Sequence, residues 1–151
     1  MFEQFDARVK DAFEQEGKEF KIDVFVQNHS EMDHSTHLRE TIEKYNPEAE
    51  IYASPNCAKF LEQQYHNFGD LKINTVQTGD ELDIGGRTLA FVSAPMLHWP
   101  DSMYTYVPEI KTLFTCDSFG SHYAAEGIVR SSVTDEAGYA DATKYYFDCI
   151  I

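Results

Sequence analysis

Apolar residues recur at helical spacing at the start of the chain, where Phe2, Phe5, Val9 and Phe13 predict an amphipathic helix running to Gly17. The run Ile22 to Val26 then reads as a short β-strand. Ser35 or Thr36 is placed to cap a second helix through about Tyr45, which Asn46-Pro47 would end. Ile51 to Ala53 predicts another strand, Pro55 opens a helix ending near Asn67 to Gly69, and Leu71 to Val76 predicts a further strand. This is the βαβ rhythm of layered α/β folds.

Beyond Gly79 the spacing changes to strands and turns. Glu81 to Ile84 and Thr88 to Ser93 predict a hairpin across Gly85-Gly86, and Tyr104 to Val107 with Thr112 to Cys116 predict a second one across Pro108 to Lys111. Thr134, followed by Asp135 and Glu136, predicts the start of a helix with Tyr139, Ala142, Tyr146, Cys149 and Ile150 on one stripe. A helix opening almost at Met1 and another ending without Gly, a terminal cation or a polar cap both read as cut ends, so a partial domain is expected.

At 151 residues the chain is long enough to bury a sizeable core in a single globular domain, and no apolar run approaches the ~20 residues a membrane span needs. The formal charge of −14 disfavours nucleic acid, since it repels phosphate, and makes cations the natural partners. Three scattered cysteines, Cys57, Cys116 and Cys149, and no charged-then-apolar leader predict a reducing cytoplasm. Each cysteine is expected first as a small buried hydrophobe.

The densest chemistry follows the strand ending at Val26. His29, Glu31, Asp33 and His34 place two imidazoles and two carboxylates within six residues. Imidazole suits several transition metals and carboxylates add hard oxygen donors, so mixed ligation points to iron or manganese, while the scattered cysteines exclude a thiolate zinc cage. Alternation along an extended segment would put His29, Glu31 and Asp33 on one side and turn His34 away, unless the backbone bends. Taken singly, each of these residues reads as a cap or a solvated loop position. Together, and with His98 and Asp117 following at the ends of two later strands, they favour a two-metal site. Trp99, Tyr104 and Phe119 are expected to serve in packing, and His37 and His66 to face solvent.

Three segments carry a family resemblance: His29-x-Glu31-x-Asp33-His34; Pro95-Met96-Leu97-His98-Trp99-Pro100-Asp101-Ser102-Met103; and Leu113-Phe114-Thr115-Cys116-Asp117-Ser118-Phe119-Gly120. In this order they resemble the diiron domain of the flavodiiron proteins, members of the metallo-β-lactamase superfamily in which a glutamate replaces one histidine of the hydrolase motif. The resemblance extends to Gly79-Asp80-Glu81-Leu82 and Gly85-Gly86-Arg87. It implies an α/β fold, a four-layer metallo-β-lactamase-like αβ/βα sandwich, incomplete here, occupying residues 1–151 without the flavodoxin-like domain. It also implies two Fe ions, with FMN carried on that absent domain, and reduction of O2 to water or NO to N2O.

Carried over by position, His29, Glu31 and His98 resemble the ligands of one iron, Asp33 and His34 those of the other, and Asp117 the carboxylate bridge. No catalytic or flavin-binding residue is expected beyond these ligands. The family's remaining histidine ligand lies past the end of this chain, His122 being too close to Asp117 to match it, and Thr36 stands where glycine is frequent. Asp101 and Asn28 are candidates for the outer shell of the ligands. The resemblance further implies an electron donor such as rubredoxin or a flavin reductase and head-to-tail homodimers of the full-length protein. This chain alone is expected to bind metal incompletely and to lack turnover. Two alternatives stay open: a diiron oxygen-binding sensor module, and a zinc hydrolase of the same superfamily, against which Glu31 argues.

Overall fold

The computed structural model describes residues 2–18, 21–66, 68, 70–127 and 129–151. The chain divides into two compact units, residues 1–76 and 77–151.

The first unit opens with helix α1 (Phe2–Glu16), followed by strand β1 (Val24–Gln27), a single turn α2 (Met32–Ser35), helix α3 (Leu38–Tyr45), strand β2 (Glu50–Ala53), helix α4 (Pro55–Gln64) and strand β3 (Ile73–Thr75). Parallel pairing in the order β1-β2-β3 bears out the βαβ rhythm, with Phe25 opposite Ile51 and Ile51 opposite Ile73. A parallel sheet covered by helices buries apolar side chains continuously. Leu38 and Ile42 from α3, Ile51 and Ala53 from β2, Cys57 and Leu61 from α4, and Phe68 accordingly form one core. Ser54 caps α4 by accepting from the Cys57 amide, and Pro55 occupies the first turn, where a missing N–H costs nothing.

Two expected boundaries move. The helix thought to start at Ser35 or Thr36 is broken, because the Ser35 hydroxyl donates back to the carbonyls of Ser30 and Glu31, 2.8 and 3.0 Å away, and so ends a turn. The longer helix then begins at Leu38, with His37 at its N-cap position. Helix α4 stops at Gln64 with Tyr65 extended after it, short of the expected end. Of the positions expected there, Asn67 and Gly69 lie outside the described residues.

The second unit is an antiparallel meander, β4 (Glu81–Asp83), β5 (Thr88–Ser93), β6 (Met103–Val107) and β7 (Thr112–Phe114), followed by helix α5 (Glu136–Cys149). Both expected hairpins form. Gly85 and Gly86 take positive φ in the first turn, as expected of the glycine pair, and Lys111 takes φ 52° in the second. Asp135 caps α5 by accepting from the Gly138 amide at 3.0 Å, one residue past the expected Thr134 start. On the expected stripe of α5, Tyr146 is buried but Cys149 is exposed. Only Cys57 of the three cysteines is fully buried. No helix among the described residues is long and apolar enough to cross a membrane.

Polar contacts attach α1 to α3. Asp6 of α1 accepts from Lys44 and Tyr45 of α3 and pairs with Lys10 at 3.0 Å. Lys44, then Tyr45 and Lys10, hold the Asp6 carboxyl well below the usual carboxylate range, while burial and then Asp6 push the Tyr45 phenol up to about 12.

In α5, by contrast, the fit is steric. A Cβ on Gly120 would lie 2.9 Å from the Tyr146 ring, 3.0 Å from its hydroxyl and 3.1 Å from the Asp117 carbonyl. Glycine at 120 is therefore what lets Tyr146 approach and donate to that carbonyl at 2.8 Å.

Two outcomes follow from these contacts. A carboxyl with a depressed folded pKa contributes its stability above its unfolded pKa of about 3.9 and loses it as pH falls through the folded value. Thermal melts of Asp6→Asn should therefore show a variant less stable than the parent at pH 7, with the gap closing at pH values below about 4. A gap independent of pH would show that the charge has no part in it. Gly120→Ala should destabilise by about 1–3 kcal/mol in urea titrations, the range for overpacking, and an unchanged midpoint would mean that the Tyr146 contact yields without strain.

Candidate metal centre

Val24 to Gln27 are committed to the sheet, so the residues that follow emerge from a fixed strand end. The chain then bends at Glu31, extended at φ −53° and ψ 147°, into the single turn Met32–Ser35. That bend overrides the simple alternation expected from an extended segment. His29 is fully buried, with 1% of its surface exposed, and its Nε2 lies 3.1 Å from a Glu31 oxygen. Because of the turn, His34 is brought back beside His29, their ring centroids 5.2 Å apart, instead of facing away. Asp33 is mostly exposed and sits 3.6 Å from His34 Nε2, too far for a hydrogen bond. The first unit therefore gathers four of the expected donors on one short loop, with His29 buried, Glu31 partly exposed and Asp33 outward.

In the second unit, His98 lies on the loop between β5 and β6, and Asp117 follows β7. His98 Nε2 and an Asp117 oxygen are 3.9 Å apart. His98 has φ 92° and Met96 φ 68°, conformations that L-residues seldom adopt. Local bonds impose them: the Met96 amide donates to the Trp99 carbonyl at 2.9 Å, Leu97 to Ala94 at 3.1 Å, and the Trp99 amide to Ser102 Oγ at 3.1 Å. The Ser118 hydroxyl donates to the Leu97 carbonyl at 2.7 Å and thereby links the Asp117 loop to the His98 loop.

The other His98 nitrogen, Nδ1, is 3.3 Å from the Ile150 carbonyl. A carbonyl only accepts, so this contact puts the proton on Nδ1 and leaves the Nε2 lone pair on the Asp117 side. The Tyr146 ring packs 6.4 Å from His98 at 28°, while its hydroxyl holds the Asp117 carbonyl. The final helix is thus the outer support of both residues, a role that the sequence does not announce: a backbone carbonyl carries no residue signature, and Tyr146 reads only as part of an apolar stripe. Of the outer-shell candidates, Asp101 is buried at 1% exposure and Asn28 is half-buried.

Burial pushes the Cys116 thiol up, against the lowering effect of the Asp117 backbone amide, which disfavours the thiolate form that a metal ligand or nucleophile uses. His66 is exposed as expected, and His37 pairs with Glu40 at 2.9 Å on the surface of α3. Tyr104 is buried as a packing residue should be. Phe119 is not: it is 63% exposed, with tilted ring contacts to Tyr104 and Phe147 at 6.2 and 6.3 Å.

The donor set suits a metal. At bond lengths of about 2.0–2.2 Å, two ligands of one ion lie roughly 3–4 Å apart, the range into which both donor pairs fall. Two imidazoles with carboxylate oxygens and no thiolate suit iron or manganese.

Comparison with known proteins agrees with this chemistry. The family model described as "ODP family beta lactamase" matches residues 1–148. The chain is 50% identical over 119 residues to coenzyme F420H(2) oxidase of Methanocaldococcus jannaschii, an alignment covering 79% of this chain and 28% of that protein. It is 40% identical over 126 residues to an anaerobic nitric oxide reductase flavorubredoxin homolog of Escherichia coli O157:H7, covering 83% of this chain and 30% of the relative. Among solved structures, rubredoxin oxygen:oxidoreductase from the anaerobe Desulfovibrio gigas superposes with a TM-score of 0.76 at 33% identity, over 83% of this chain and 31% of that one. The flavodiiron protein from Giardia intestinalis gives a TM-score of 0.76 at 35% identity, over 85% and 31%. The chain thus spans about three tenths of the length of these relatives. It belongs to the ODP family beta lactamase, with the metallo-β-lactamase-like fold of the flavodiiron proteins.

Proposed function

We propose that this chain is the diiron-binding part of a flavodiiron oxidoreductase that reduces O2 or NO. The observation that carries the reading is the pair of donor sets, His29 with Glu31 at 3.1 Å and His98 with Asp117 at 3.9 Å, each on a loop at a strand end. In this reading, which follows the family resemblance, His29, Glu31 and His98 would serve one ion, Asp33 and His34 the other, and Asp117 would bridge them. A pair of irons would supply the electrons, and the two adjacent coordination positions, that reduction of a diatomic needs. FMN on a flavodoxin-like domain and a rubredoxin-type or flavin-reductase donor would deliver those electrons, in keeping with relatives named rubredoxin oxygen:oxidoreductase and flavorubredoxin. A head-to-tail homodimer of the full-length protein would bring that flavin to the metal site.

The chain's own residues prepare the donors. Burial keeps water from the His29 ring. The Ile150 carbonyl fixes the His98 tautomer, and Tyr146 with Ser118 fixes the turn that presents Asp117. Glu31 is the residue that separates this reading from a zinc hydrolase, because an oxygen donor in place of a third imidazole favours a harder ion.

Metal analysis after expression in iron-supplemented culture tests the reading. The parent chain should carry iron, and His98→Ala and Asp117→Asn should each weaken it by more than ~10-fold, the loss seen even for outer-shell changes. The reduced iron should reoxidise rapidly on mixing with O2 or NO. Iron retained at parental level in both variants, or a zinc-only protein that hydrolyses thioesters, would overturn it.

A further inference from the structure

We infer that Gln27 is a positioning residue, and that its side-chain amide braces the ligand loop 28–34 from within. This rests on the metal-binding reading given above.

Gln27 is the last residue of β1, where an apolar side chain would be expected, and it is buried at 7% exposure. Its backbone is fixed on both sides: its Cα pairs with Ala53 in the sheet, and its carbonyl accepts from the Cys57 thiol at 3.6 Å. From this anchored position the side-chain nitrogen donates to the His29 carbonyl and, at 3.3 Å, to the His34 carbonyl. An amide has two N–H groups, and both are used. The two carbonyls also settle the amide's orientation, since turning it over would aim its oxygen at two other oxygens.

The carbonyls belong to the first and last donors of the loop. One side chain therefore ties the backbone of His29 to the backbone of His34, and with it the two ends of the segment that carries Glu31 and Asp33. The loop has need of such a brace. It borders a cavity of about 310 Å³ lined by Gln27, Asp33 and His34 along with Phe5, Phe25 and Leu38. The Ser35 hydroxyl, on the carbonyls of Ser30 and Glu31, holds the interior of the loop but not its two ends.

A metal held by donors from this loop should therefore lose affinity when the amide is removed without loss of volume. Gln27→Met keeps the length and bulk but not the donors, and Gln27→Glu keeps the shape while placing carboxylate oxygens against the carbonyls. Cobalt(II) is the probe, because its visible bands report ligand geometry, and hydrogen exchange at the amides of His34, Ser35 and Thr36 reports the loop itself. Both variants should melt within a few degrees of the parent, bind cobalt about 10–100-fold more weakly and shift its visible bands, the range for lost outer-shell partners. The three amides should also exchange faster.

If Gln27→Met binds cobalt with parental affinity and bands, the positioning role is wrong while the metal site stands. Should the parent chain itself bind neither cobalt nor iron, the metal reading fails, and unchanged exchange in the variants would then dispose of the brace as well. A variant that unfolds leaves the other to decide, since the two differ in charge.

Discussion

A polar side chain can serve a metal only if it is not already spent on the backbone of its own loop. Irregular loops leave N–H and C=O groups without sheet or helix partners, and buried ones must be satisfied by something. In both ligand-bearing loops much of that work is done by residues of other types. Gln27 and Ser35 take the carbonyls of the first loop, while Ser102, Ser118 and Tyr146 take backbone groups of the second. Hydroxyls and one amide thus carry much of the loop geometry.

The division of labour also explains why the loops start where they do. Each leaves a strand whose register is locked by its neighbours: β1 by β2, β5 by β4 and β6, and β7 by β6. The core of the first unit lies directly behind, with Ile51 and Ala53 essentially sealed, so the strand ends are stiff mounts. Helix α5 plays the corresponding part in the second unit. Its Tyr146 can approach Asp117 only because residue 120 lacks a side chain, and its C-terminal Ile150 carbonyl orients His98.

The parts legible in the sequence were those governed by period and by residue type. The helix of Phe5, Val9 and Phe13, the parallel strand rhythm and the two hairpins follow from apolar spacing and from glycines that admit positive φ. The candidate donors could be named because few other chemistries need two imidazoles and several acids together. What stayed hidden was governed by direction. Ser35 offers the same hydroxyl whether it caps a helix after it or closes a turn before it, and only the fold shows that it does the latter. Phe119 and Cys149 match an apolar pattern but face outward, and Gln27 breaks one but faces inward. Residue type marks such positions without saying which carbonyl or which core they meet.

Strain completes the picture. Of the four non-glycine residues with positive φ among the described residues, Met96, His98 and Cys116 are in or next to the second ligand pair. Conformations of this kind cost on the order of 1–3 kcal/mol each and persist where surrounding contacts over-determine them. Here the contacts are visible: the reciprocal turns across Ala94, Met96 and Trp99, the Ser118 bridge to Leu97, and the Tyr146 bond to Asp117. A loop without a task would relax away from such geometry by ordinary substitution. That three strained residues cluster around His98 and Asp117, with hydrogen bonds arranged to hold them, gives the two candidate donors a rigid mount.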